Sequence, residues 1–165
     1  MTNSWQVRLI TRADKEILDQ TETLFLDMYE YMAKHGLSNS LAADGVKKWR
    51  VAVERTLGRL GALAIAESDN KIIGFARGVV RLSPDHLASG KIGFVDHTFV
   101  CESWREKGIG RQIFKSLEQW FYSNGVQKLE LQVLCDNTTA INAWLAMGFR
   151  PEFMQMQKTI SESSS

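Results

Sequence analysis

Between Val100 and Arg111 the chain reads Val-Cys-Glu-Ser-Trp-Arg-Glu-Lys-Gly-Ile-Gly-Arg, a basic stretch with two glycines one residue apart. The run Ile92–Val100 before it reads as a strand. Ile109, Ile113, Phe114, Leu117, Trp120 and Phe121 after it follow helical spacing, closed by Asn124-Gly125. The segment is therefore a strand-to-helix turn. Gly108 and Gly110 let the backbone approach a ligand without a Cβ in the way. The unpaired N–H groups of the first helical turn point outward at the positive end of the helix dipole. Such a site suits a phosphate or pyrophosphate. A Walker loop lacks its lysine here, and the dinucleotide fingerprint lacks its third glycine, Ile113 standing in that place. A nucleotide-binding domain is thus remote, and the plain alternative is a turn with no ligand.

The elements that must position this loop follow from periodicity. A strand at Gln6–Ile10 precedes a helix over about Ala13–His35, with Ile17, Thr21, Leu24, Phe25, Met28 and Met32 on its apolar stripe. Val46, Trp49, Val53, Leu57 and Leu60 predict a second helix ending near Gly58–Gly61. Ala62–Glu67 and Ile72–Leu82 flank Ser68-Asp69-Asn70 as a hairpin. Lys128–Cys135 alternates and reads as a strand, Asn137 as the N-cap of a short helix ending at Met147-Gly148, and Phe153–Ile160 as a last strand. The order β-α-α-β-β-β-α-β-α-β predicts an α/β mixed sheet with helices on both faces.

The 165 residues carry 20 basic and 19 acidic side chains, 44% of the residues are hydrophobic, and there are two prolines. One domain over 1–160 with a frayed tail 161–165 is expected. The near-neutral charge gives no footprint for nucleic acid, and no apolar run approaches the roughly 20 residues that span a membrane. No signal peptide is seen, so a cytoplasmic location is expected. Cys101 and Cys135 have no metal-ligand or CxxC spacing and read as small apolar fillers; no metal site is expected.

Arg105-Glu106-Lys107-Gly108-Ile109-Gly110 resembles the Arg/Gln-x-x-Gly-x-Gly/Ala motif of the GNAT superfamily of acyl-CoA-dependent N-acetyltransferases. Asn137-Thr138-Thr139-Ala140-Ile141, followed by Gly148-Phe149, is similar to a second signature of that superfamily, and the order of elements fits from Gln6 to Ile160. The resemblance implies a mostly antiparallel sheet of six to seven strands, with one strand pair splayed to admit the cofactor. It implies acetyl-CoA as co-substrate. The backbone of Phe99, Val100 and Cys101 would pair with the pantetheine arm, and the amides of Arg105, Glu106, Lys107, Gly108, Ile109 and Gly110 would hold the pyrophosphate. Arg105 and Arg111 would add charge. Asn137 is either a plain cap or a cap that also touches pantetheine.

Transfer to an amine requires a neutral nucleophile, hence a base. Asp96 matches the carboxylate position frequent in the family. Alternation puts it on one face with Phe94, Thr98 and Val100, and puts His97 on the other as a core histidine. The competing expectation for Asp96 is an ion pair with Arg77 or Arg81. Trp144 stands where many members of the family have a tyrosine that protonates the thiolate; an indole cannot do so, and packing is its expected role. By resemblance, the acceptor would meet the first two helices and the hairpin, where Tyr29, His35 and Arg77 are the candidate contacts. No acidic cluster favours a polyamine or aminoglycoside, so the acceptor class is a small-molecule or peptide amine. A non-catalytic acyl-CoA sensor is the alternative function. The last strand, Phe153–Ile160, offers an edge for a homodimer.

Overall fold

The computed structural model describes residues 4–88 and 90–160, so the expected frayed tail 161–165 lies outside the described residues. In chain order the elements are β1 (Gln6–Ile10), α1 (Lys15–Ala33), α2 (Gly45–Thr56), β2 (Gly61–Ser68), β3 (Lys71–Leu82), β4 (Lys91–Val100), α3 (Ile109–Ser123), β5 (Lys128–Leu131) and α4 (Thr138–Ala146). The strands lie in the order β1-β2-β3-β4-β5. Neighbours are antiparallel from β1 to β4, and β5 runs parallel to β4. Asp69 and Asn70, with φ of 49° and 62°, turn β2 into β3; two left-handed residues in a two-residue loop match the twist of the flanking strands. Asp14 starts α1 by accepting the Ile17 N–H at 3.1 Å.

Each sheet face carries its own core. On one, Leu18, Leu24, Phe25 and Met28 of α1 and Trp49 and Val53 of α2 cover Leu63, Ile65, Ile72 and Phe75. On the other, Ile109, Ile113, Phe114, Leu117, Trp120 and Phe121 of α3 cover Ala62, Ala64, Ala66, Ala76 and Val95. The strands under α3 are paved with small residues, which lets the helix sink close to the sheet. A Cβ at Gly78 would lie 2.5 Å from Phe121 Cζ, and one at Gly93 would lie 2.8 Å from Phe121 Cδ1. The apolar stripe of α3 thus fixes both its depth and the position of its N-terminus.

Two expectations change. The sheet has five strands among the described residues rather than six to seven, because Phe153–Ile160 forms no ladder; Phe153 and Ile160 are 91% and 90% exposed. A strand needs an edge to pair with, and this segment reaches none. The expected strand Lys128–Cys135 ends at Leu131, since only Ile92–Val95 of β4 has β5 beside it. Cys135 therefore sits exposed in the following loop instead of ending a strand.

Gly78→Ala is expected to lower the unfolding free energy by about 1–3 kcal/mol, the usual cost of overpacking a filled core. Urea denaturation of the variant beside the wild type measures this directly.

Candidate active site

Opposite β3, strand β4 carries one extra residue. Arg77 faces His97 and Gly78 faces Val95, which makes Asp96 a β-bulge. A bulge breaks the alternation of a strand. Val95 and Val100 pack with the α3 cluster, while Phe99 and Cys101 pack with the α1/α2 cluster. The change of phase between Val95 and Phe99 brings Asp96 and His97 onto the same face, toward α1 and α2. Strict alternation, which set His97 opposite Asp96 and grouped Asp96 with Thr98 and Val100, fails here because of that single residue.

Asp96 forms an ion pair with the Arg77 guanidinium, and the two side chains are 11% and 8% exposed. Arg77 also donates to Thr56 Oγ1 at 3.0 Å and to the Ala52 carbonyl at 3.4 Å, tying β3 and β4 to α2. Arg77 is consequently enclosed, not presented to an acceptor, and the ion-pair expectation for Asp96 is the one met. His97 Nδ1 lies 3.2 Å from Asp96 Oδ1. Both atoms are buried and lack an aligned hydrogen bond. The imidazole is surrounded by Phe25 at 5.1 Å, Trp49 at 6.3 Å and Tyr29 at 6.5 Å between ring centroids. Burial, and secondarily the charge of Asp96, pushes the Tyr29 phenol above its ordinary pKa, so it stays a proton-bearing donor.

A second cluster lies nearer the loop. His35 stacks on Tyr31 at 4.0 Å, with Nδ1 2.7 Å from the Tyr31 carbonyl. The Arg105 guanidinium sits 4.5 Å over Tyr31 and 5.4 Å over Phe99. Arg105 Nε donates to the Val100 carbonyl at 3.0 Å. Arg105 therefore braces the loop against α1. Tyr31 and Phe99 were not foreseen as its partners; the (i, i+4) spacing of Tyr31 and His35 was the one available signal.

Beyond Val95 the β5 side of β4 is free, and the two parallel strands part. Cys101 N–H donates to the Ile73 carbonyl at 2.9 Å. Alternation then turns the Phe99 and Cys101 backbone groups toward β3 and those of Thr98 and Val100 into the slot. Of the three residues expected to pair with an extended ligand, only Val100 offers its N–H there, and the buried Thr98 hydroxyl beside it has no partner. The slot leads to the N-terminus of α3. There Gly108, at φ 77°, caps the helix without a side chain. A Cβ at Gly108 would meet nothing, and one at Gly110 would meet only Val100 Cγ2, at 3.8 Å. Packing does not require a glycine at 110. No side chain at positions 108 or 110 therefore covers the start of α3, and Lys107 lies over Trp104 at 4.7 Å.

Asn137 caps α4, its Oδ1 accepting the Ala140 N–H at 3.2 Å. Trp144 packs against Phe114 and Phe149 at 5.4 and 5.3 Å, as its spacing implied. The Cys101 thiol is held above its ordinary pKa, first by burial and then by the charge of Asp27.

The sheet formed by the described strands thus parts between its two parallel strands, and a glycine-containing helix start lies at the fork. The chain belongs to the acetyltransferase (GNAT) family, whose model matches residues 19–149. It is 29% identical over 92 residues to an aminoglycoside N(6')-acetyltransferase type 1 of Klebsiella aerogenes; the match spans 55% of this chain and 60% of that protein. The chain thus spans less than two thirds of the length of that curated relative. Among solved structures, it superposes with a TM-score of 0.75 on the aminoglycoside N-acetyltransferase AAC(6')-Iy in complex with CoA, at 18% identity over 98% of this chain and 97% of that one. The same enzyme with a bisubstrate analogue, CoA-S-monomethyl-acetylneamine, also gives 0.75, at 19% identity over 96% and 99% of the two chains. These structural likenesses establish the fold.

Removing one member of a buried ion pair strands the other. Asp96→Ala is expected to cost about 3–5 kcal/mol of stability. The double variant Asp96→Leu/Arg77→Met should recover most of that loss in a denaturation cycle.

Proposed function

We propose that this protein transfers the acetyl group of acetyl-CoA to a primary amine by direct attack within a ternary complex. The observation that carries this is the continuous path from the free edge of β4, at Thr98 and Val100, to the uncapped amides of α3 in front of Gly108 and Gly110. An extended pantetheine arm fits the first part as an added strand, and a pyrophosphate fits the second. Acetyl-CoA supplies an activated thioester, whose sulfur is a fair leaving group without a proton donor at Trp144. Amides from Arg105 to Gly110, the charge of Arg111 and the amide of Asn137 are the remaining holding groups.

The chain's own residues then prepare the amine. Asp96, neutralised by Arg77, acts as a positioning carboxylate, and the base falls to its neighbour His97. With Nδ1 turned to Asp96, Nε2 is the nitrogen left to accept a proton from the acceptor ammonium, directly or through water. Tyr29, Tyr31 and His35 form the wall against which the acceptor lies. A small-molecule amine is the acceptor class. The names of the relatives put aminoglycosides first in the panel, although sequence composition alone did not favour them. An acyl-CoA-binding module without turnover is the second reading, favoured only by the locked state of Asp96.

Calorimetric titration is expected to show micromolar binding of acetyl-CoA that Gly108→Asp/Gly110→Asp abolishes; no binding by the wild type would sink the proposal. Gly110→Glu should weaken binding at least tenfold with little change in the melting temperature, because the side chain would extend from an open position and its charge would oppose the pyrophosphate. With an acceptor in hand, His97→Gln should lower kcat about 100-fold with little change in KM for acetyl-CoA. Binding without CoA release across amines, aminoglycosides included, would support the second reading.

A further inference from the structure

Arg81 and Phe94 stand together on the sheet face that carries Asp96 and His97. Val80 packs with the α3 cluster, and a Cβ on Gly93 would meet Phe121 of α3, so the next residues, Arg81 and Phe94, point the other way, to the side of α1 and α2. The Arg81 guanidinium lies 3.9 Å over the Phe94 ring. Phe94 is only partly buried and belongs to neither core cluster. A guanidinium held by its face on a ring keeps its edge, where the N–H donors lie, for another partner. Among the described residues, Arg77 on the same face has its carboxylate and Arg81 has none.

The surroundings share this excess of positive charge. The chain leaving α2 runs beside this end of β3, the Leu60 carbonyl accepting the Val80 N–H at 2.6 Å. On α2, Lys47, Lys48 and Arg55 line a shallow groove of about 400 Å³ together with Ala52, whose carbonyl also accepts from Arg77. The carboxylates at this end are already engaged. Glu130, opposite Phe94 on β5, has Lys128 at 3.2 Å; Asp44 has Lys48 at 3.0 Å; Asp96 has Arg77. Asp27 stands by Cys101, at the other end of β4. Lys47, Arg55 and Arg81 form no ion pair among the described residues. Three residues of β4, one of them the bulge, separate the ring under Arg81 from His97, a span of roughly 7–10 Å.

We propose that the acceptor is a primary amine that carries a carboxylate or phosphate roughly 7–10 Å from its nitrogen, with the amine at His97 and the anion on the free edge of Arg81. Placing the amine at His97 rests on the acetyl-transfer reading; the anion site at Arg81 does not. A polycation such as an aminoglycoside would bring further ammonium groups against Lys47, Arg55 and Arg81, whereas an anion meets a planar fork already oriented by Phe94. Arg81 is remote from the reacting atoms, so it selects the acceptor without taking part in the chemistry.

Calorimetric titration of the full chain, free and loaded with CoA, compares 6-aminohexanoate, 4-aminobutyl phosphate and hexylamine. At least one of the anionic amines is expected to bind about tenfold or more tightly than hexylamine, the scale of a charge-assisted hydrogen bond, and the tighter of the two tells carboxylate from phosphate. Arg81→Gln should erase that preference while leaving hexylamine binding and the unfolding curve unchanged, and Arg81→Lys should keep part of it. In turnover, Arg81→Gln should raise KM for the preferred amine about tenfold with kcat nearly unchanged. Hexylamine binding as tightly as both anionic amines, a preference that survives Arg81→Gln, or a higher kcat/KM for kanamycin than for either anionic amine would each overturn the proposal. Equal acetylation of hexylamine and the anionic amines would remove the anion site and leave the transfer standing. Binding that depends on Arg81 without any acetylation would keep the anion site and remove the transfer.

Discussion

The depth of α3 is the constraint on which the rest of the molecule depends. Its aromatic and aliphatic stripe meets strands reduced to alanine and glycine, and at Gly78 and Gly93 no space remains for even a methyl group. Close packing of this kind fixes a helix along its axis as well as in height. The uncapped N-terminus of α3 is thereby held at the fork where β4 and β5 separate. A larger residue in the floor would lift or slide the helix, and the helix start would leave the end of the slot. The helix start at Gly108 and Gly110 is therefore maintained from below by Phe121 and Leu117, several turns further along α3.

The opposite face is organised by charge rather than by close packing. Arg77 and Asp96 are buried together, and Arg77 is further satisfied by Thr56 and Ala52 of α2. A buried pair of this sort is weak evidence for stability but strong evidence for a fixed arrangement once formed. Here it holds α2 against β3 and β4 and leaves His97 facing an aromatic enclosure. Arg105 does the corresponding work at the loop, where its cation lies on Tyr31 and Phe99 and its Nε holds a β4 carbonyl. Both arginines act as braces.

Much of this was legible from residue types and spacing. The glycine-containing turn, the stripe of α3, the hairpin at Asp69-Asn70, the cap at Asn137 and the packing of Trp144 all express local preferences that agree with the fold. The bulge was not legible, because Asp96 carries no glycine or other marker of irregular backbone and periodicity extrapolates straight through it. The destination of Arg105 was hidden for a different reason: a cation beside a phosphate-type loop and a cation stacked on rings have the same local sequence. Phe153–Ile160 shows the limit of pattern reading most clearly. Its alternation reports an inclination to form a strand, but a ladder also needs a neighbour, and the neighbour is not a property of the segment.

The bulge at Asp96 has a further effect on how the site behaves in motion. Most functional pairs are brought together across elements, so thermal breathing of one helix against another changes their separation. Asp96 and His97 are joined by a single peptide bond and turned to the same side by the local backbone, so breathing of α1 against the sheet does not separate the two residues. The orientation of the ring is built in before any ligand arrives. The relation between the two residues is thus kept by the backbone of one strand rather than by the packing of two elements.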